Sequence, residues 1–166
     1  MRILITLALL AAPLWVAAAD LSDLAWLEGE WQGYSLMGET SNVNHKEFRF
    51  AQAGRYLVER TLAMFPPAEP STDYETHQDM TVFYAIGGEL RSKGFFAEGL
   101  VQSSAVTVDG PRVIIESTEV EGGPPGMRAR LVYERAGYDR FTGVFEVDWS
   151  GGGYECYQTY EFSRLR

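Results

Sequence analysis

From Gly29 onward, apolar and polar residues alternate with a period of two, and glycine- or proline-bearing turns interrupt them at short intervals. This pattern predicts strands at 29–37, 43–52, 55–65, 79–87, 90–97, 99–108, 112–120, 127–136, 139–149 and 153–165. Ala53-Gly54, Gly87-Gly88, Asp109-Gly110-Pro111, Ala136-Gly137-Tyr138 and Ser150-Gly151-Gly152 have tight-turn composition, so successive strands should be neighbours. Pro66-Pro67-Ala68-Glu69-Pro70 and Gly122-Gly123-Pro124-Pro125-Gly126 are too rich in proline to be strands and belong at barrel ends. The one helical candidate is the lead-in 21–27, one or two turns that would plug an end with Leu24 and Leu27 facing in. A meander of about ten strands with a last strand of core character predicts an all-β fold, a single closed antiparallel up-and-down β-barrel.

Alternation also assigns faces. In the last strand Tyr154, Cys156, Gln158, Tyr160, Phe162 and Arg164 share the side expected to face inward. Phe141, Gly143, Phe145, Val147 and Trp149 form another such set, as do Met127, Ala129, Leu131 and Tyr133. Arg60 falls in the run Tyr56, Val58, Arg60, Leu62, Met64. An inward arginine needs a counter-charge, which an inward acid such as Glu47 or Glu119 or a ligand anion would supply; in the opposite phase Arg60 lies in water beside Glu59. The candidate ligand-binding set is Arg60 with Tyr84, Tyr133, Gln158 and Tyr160 as hydrogen-bonding groups and Phe145 and Trp149 as apolar wall. Cys156 is the only cysteine, so no internal disulfide can form, and its register predicts a buried small hydrophobe.

Met1-Arg2, the apolar run Ile3 to Val16 and Ala17-Ala18-Ala19 before Asp20 have the three parts of a signal peptide, predicting a leader at 1–19 and one domain at 20–166. The run is short against the roughly 20 residues of a spanning helix and contains Pro13, so no membrane anchor is expected after cleavage. The implied localisation is periplasmic or secreted. A formal charge of −9 argues against nucleic acid and anionic lipid as partners. Gly151-Gly152-Gly153 lacks the lysine and hydroxyl residue of a phosphate-cradling loop. Glu116, Glu119 and Glu121 read as a solvated face, and no His, Cys or Asp spacing suggests a metal site.

Gly29, Trp31 and Gly33 with the preceding leucines resemble the start of the calycin superfamily, which contains lipocalins and fatty-acid-binding proteins. Within it the chain looks most like the ten-stranded bacterial branch related to nitrobindins, whose start reads Gly-x-Trp-x-Gly-x-Gly; Ser35 stands in the last glycine position. The resemblance implies a lipocalin-like barrel with Trp31 packed across its floor against a late basic residue, Arg164 by register or else Arg166. The gap from Gly38 to Asn42 is too short for the two-helix lid of fatty-acid-binding proteins. Nitrobindins bind haem through a histidine late in the chain; none follows His77 here, so no cofactor is expected. His45 is read as solvent-facing and His77 as lying near the barrel mouth.

The expected function is binding of one small hydrophobic or amphipathic molecule, anionic if Arg60 points inward. A barrel enzyme of isomerase or hydrolase type using a cavity tyrosine or carboxylate, and a solid-core interaction barrel, remain the alternatives.

Overall fold

The computed structural model describes residues 20–38, 40–67 and 70–166, so the leader expected at 1–19 lies outside the described residues. Ten strands follow one another in order: β1 (Gly29–Met37), β2 (Thr40–Ala51), β3 (Tyr56–Phe65), β4 (Glu75–Ile86), β5 (Glu89–Phe95), β6 (Val101–Asp109), β7 (Arg112–Glu121), β8 (Arg128–Arg135), β9 (Arg140–Asp148) and β10 (Glu155–Arg164). Each pairs antiparallel with its sequence neighbour, and β1 pairs with β10, from Trp31 opposite Arg164 to Leu36 opposite Thr159, closing the barrel. No strand edge is left for further pairing in this sheet, which is how barrels avoid edge-to-edge association.

Ahead of β1, residues Leu21–Leu27 form a 3₁₀ helix. Asp20 caps it, accepting from the Ser22 N–H, while the Asp23 carboxylate accepts the Asp20 N–H in return. Leu21, Leu24 and Leu27 are buried in a floor shared with Phe48, Leu57, Phe83, Leu90, Val106, Val113, Phe141 and Phe162. Trp31 anchors this floor. Its indole Nε1–H donates to Leu27 O at 2.7 Å, and Phe141 meets its ring edge-on at 4.8 Å. The Arg164 guanidinium lies 4.0 Å from the ring centroid and donates to the carbonyls of Trp26 and Glu28, so the last strand is fastened to the helix exit.

Four strand starts differ from the sequence expectation by more than one residue: β6 begins two residues late, at Val101, and the other three differ in an instructive way. β4 begins at Glu75, because Thr76, His77 and Gln78 pair with Met64, Ala63 and Leu62; ladder hydrogen bonds need no apolar side chains. β2 begins at Thr40 for the same reason, its polar start pairing with the end of β1. β10 begins at Glu155, after Gly153 at φ +116° ends the hairpin loop.

Two face assignments are corrected. On β3 the inward residues are Leu57, Glu59, Thr61 and Ala63, so Arg60 faces solvent, 63 % exposed, and meets Glu47 at 3.7 Å on the outer wall. Both phases of β3 carry apolar residues, and its own alternation could not decide between them; Leu57 is drawn into the floor beside Phe83 and Phe48. On β10 the register shifts between Cys156 and Gln158, an insertion of Tyr157 that inverts the phase of everything before it. Cys156 is therefore exposed rather than buried, and Tyr154 turns outward to donate to Glu116 at 2.9 Å.

Candidate functional site

The floor occupies one end of the lumen, and the β1–β2, β3–β4, β5–β6, β7–β8 and β9–β10 connections lie at the other. Toward that end the inward positions change character. Ser35, Asn42, Asn44, Lys46 and Glu59 are all buried, where alternation alone would suggest apolar packing. Adjacent strands place them in rows: Lys46, Thr61 and Asp79 lie side by side across β2, β3 and β4, and Asn42, Ser35 and Tyr160 across β2, β1 and β10.

Two hydrogen-bonded groups result. In the first, Lys46 Nζ is bonded to Glu59 Oε1 and donates to Thr61 Oγ1 at 2.9 Å, while Tyr133 Oη donates to the same Glu59 oxygen at 3.0 Å. The Tyr133, Tyr160 and Phe162 rings surround the ammonium at 5.6 to 5.9 Å. Burial and the Glu59 charge push the Tyr133 hydroxyl well above its ordinary value, and burial raises Tyr160 in the same direction. Both phenols thus stay protonated and act as donors. In the second group Ser35 Oγ accepts from Asn44 Nδ2 at 2.9 Å and Gln158 Nε2 at 2.6 Å, and Tyr160 Oη donates to Gln158 Oε1 at 2.7 Å. Asn44 Nδ2 also donates to Asn42 Oδ1 at 3.0 Å, and buried Asn42 Nδ2 has no partner among the described residues.

Gly143 makes room for this arrangement. A Cβ there would lie 3.0 Å from the Tyr160 ring and 3.2 Å from Tyr133, so a larger residue would require the two rings to give way by a few tenths of an ångström. At the end opposite the floor the segment after β5 folds inward. The Phe96 ring lies against Gly94, the Ala97 N–H donates to Asp79 Oδ1 at 3.0 Å, and Glu98 reaches His77 Nδ1 at 3.0 Å. Burial raises the Asp79 carboxyl above its ordinary range, offset in part by the Ala97 bond. His77 is raised by its bond to Glu75, at 2.8 Å, with Glu98 adding to the effect.

Of the residues singled out in the sequence, Tyr133, Gln158 and Tyr160 converge in the lumen. Phe145 lies on the inward face of β9, opposite Leu131 and Gln158. Trp149 sits just beyond β9, half exposed, in a chain of edge contacts from Phe145 through Tyr157 to Trp149. Arg60 and Tyr84 do not join them. Tyr84 pairs with Tyr56 and Arg91 on the outer face of β4, one residue out of phase with inward Phe83, and lines an outer concavity of about 590 Å³. A second concavity, of about 530 Å³, is lined by Arg60, Leu62 and Met80 of the outer wall together with Thr61, Asp79 and Phe96. The lumen residues overlooked in the sequence are Lys46, Glu59, Asn42 and Asn44. The signal for Lys46 and Asn44 is that they lie two and four residues before Phe48, in phase with it on β2.

The barrel is similar in fold to the crystal structure of Rv2717c from M. tuberculosis. The TM-score is 0.66 at 13% sequence identity, covering 88% of this chain and 97% of that one. A protein of unknown function from the DUF3598 family, from Nostoc punctiforme, matches at a TM-score of 0.30 and 7% identity over 89% of this chain and 99% of that one. No family model matches the chain, and no curated protein does. With Rv2717c the likeness is one of fold.

Among the described residues no group of three or more His, Cys, Asp or Glu is placed to hold a metal ion, and no helix is long and apolar enough to cross a membrane.

Proposed function

We propose that this chain is an exported small-molecule-binding barrel of calycin type that takes an apolar or amphipathic ligand through the end opposite the floor into the polar half of the lumen. The observation that carries the reading is the set of buried hydrogen-bonding side chains there, with Asn42 Nδ2 lacking a protein acceptor among the described residues. Polar groups in a barrel interior are costly unless partnered, so a barrel kept only as a packed scaffold has no use for them. The stack of Arg164 on Trp31 supports the calycin assignment, and the leader pattern at 1–19 supports export. Haem is not part of the proposal. Of the chain's two histidines, His45 lies on the outer wall by Glu30, and His77 is held between Glu75 and Glu98.

The test is titration with the neutral fluorophore N-phenyl-1-naphthylamine. Saturable one-to-one binding is expected, lost in Ala63→Trp, which fills the lumen beside Asn44, and retained in Arg60→Leu on the outer wall. Absence of saturable binding, or binding unaffected by Ala63→Trp, would overturn the reading.

A further inference from the structure

We infer that the half of the lumen away from the floor holds a subsite for an uncharged hydrogen-bond acceptor, a ketone, ester or amide carbonyl, bound by the side-chain amide of Asn42 with that of Gln158 beside it. The inference rests on the lumen binding proposed above and names the ligand chemistry that this site selects.

Counting donors against acceptors leads there. Ser35 Oγ already accepts from Asn44 and Gln158, Gln158 Oε1 accepts from Tyr160, and Asn42 Oδ1 accepts from Asn44. A hydroxyl has two lone pairs, so Ser35 Oγ is full. The donors are not used up: among the described residues both N–H bonds of Asn42 Nδ2 lack a partner, and one N–H of Gln158 has no acceptor. The bond from Asn44 orients the Asn42 amide, fixing the nitrogen as its free end. A ligand in this place must therefore bring an acceptor. Asn42 stands opposite Ser35, two residues inside the β1–β2 connection, and is 4 % exposed.

Charge then separates a neutral carbonyl from a carboxylate. The ionisable groups facing the upper lumen are Lys46, Glu59 and Asp79, with His77 above them at the mouth. Lys46 is already paired with Glu59, and Arg60 is on the outer wall. A ligand carboxylate would face two carboxyl groups with no unpaired cation among the described lumen residues, whereas a neutral carbonyl keeps the amide bonds without that repulsion.

The experiment displaces N-phenyl-1-naphthylamine with three molecules of one shape: acetophenone, α-methylstyrene with a methylidene in place of the carbonyl, and benzoate. Acetophenone should bind tightest. Asn42→Asp, which puts an acceptor where the donor was, should lower the preference for acetophenone over α-methylstyrene by about threefold to tenfold, as expected for loss of one neutral hydrogen bond. Asn42→Leu should do the same, and neither change should weaken α-methylstyrene. In wild-type protein the Asn42 side-chain amide proton resonances should move with acetophenone and stay still with α-methylstyrene, a readout that needs no variant to fold. An unchanged preference in the variants, benzoate binding as tightly as acetophenone, or unmoved Asn42 amide signals would overturn the subsite. If the fluorophore still binds and Ala63→Trp still blocks it, such a result leaves lumen binding standing and removes only the carbonyl subsite; no lumen binding removes both.

Discussion

Lys46 and Glu59, 6 % and 4 % exposed, are each other's counter-charge inside a barrel that offers little water. Desolvation of such a pair roughly offsets its attraction, but removing one partner strands the other charge. Lys46→Met should therefore lower unfolding free energy by about 3 to 5 kcal/mol, and Glu59→Leu by a similar amount, while the double variant recovers most of the loss. Urea denaturation of the four proteins checks this; additive losses would show that the two charges do not depend on each other. Neither residue is visible as a pair in the chain. They are 13 positions apart on neighbouring strands, and only the β2–β3 register places them diagonally across one face.

At the scale of elements, the β9–β10 hairpin shows how one side chain holds a loop. Asp148 is 1 % exposed, meets Arg128 at 2.5 Å and accepts the Ser150 and Gly151 N–H groups, at 3.2 and 2.6 Å. The Arg128 guanidinium first, and these N–H bonds after it, lower its carboxyl to about 2. A carboxyl whose folded value lies below its unfolded one stabilises the fold above the ordinary carboxylate range and loses that contribution as pH falls toward 2. Asp148→Asn should accordingly melt lower than the wild type at pH 7, with the gap closing on acidification. Thermal melts from pH 7 to pH 2 measure it, and a constant gap would remove the charge from the explanation. The same hairpin shows a limit of pattern reading: strict alternation through β10 misplaces Cys156 and Tyr154, because a bulge is a backbone event that leaves no hydrophobic signature.

For the whole molecule, closure depends on a few residues that join distant parts of the chain. Trp31 touches the helix through Leu27, the late strands through Phe141 and the last strand through Arg164. Trp31→Ala should cost about 3 to 5 kcal/mol, the range for truncating a fully buried large aromatic. An unmoved melting midpoint would contradict the packing of the floor.

What the chain alone determined was the two-residue period, the tight turns and the register of the strongly apolar strands, which together are enough for a closed ten-stranded barrel with a helical plug. These are local properties: alternation and turn chemistry act over a few residues. Tyr133, Gln158 and Tyr160 were legible as inward groups because their strands after the bulge carry one clear apolar face. Tertiary structure alone decided the phase of β3, where apolar residues line both faces, and so moved Arg60 to the outer wall and Glu59 into the lumen. It also decided that Ser35, Asn42, Asn44 and Gln158 gather at the end opposite the floor. Pairing of β1 with β10 brings Ser35 to Gln158 across 123 residues, and no local pattern records a contact made by closing the sheet on itself.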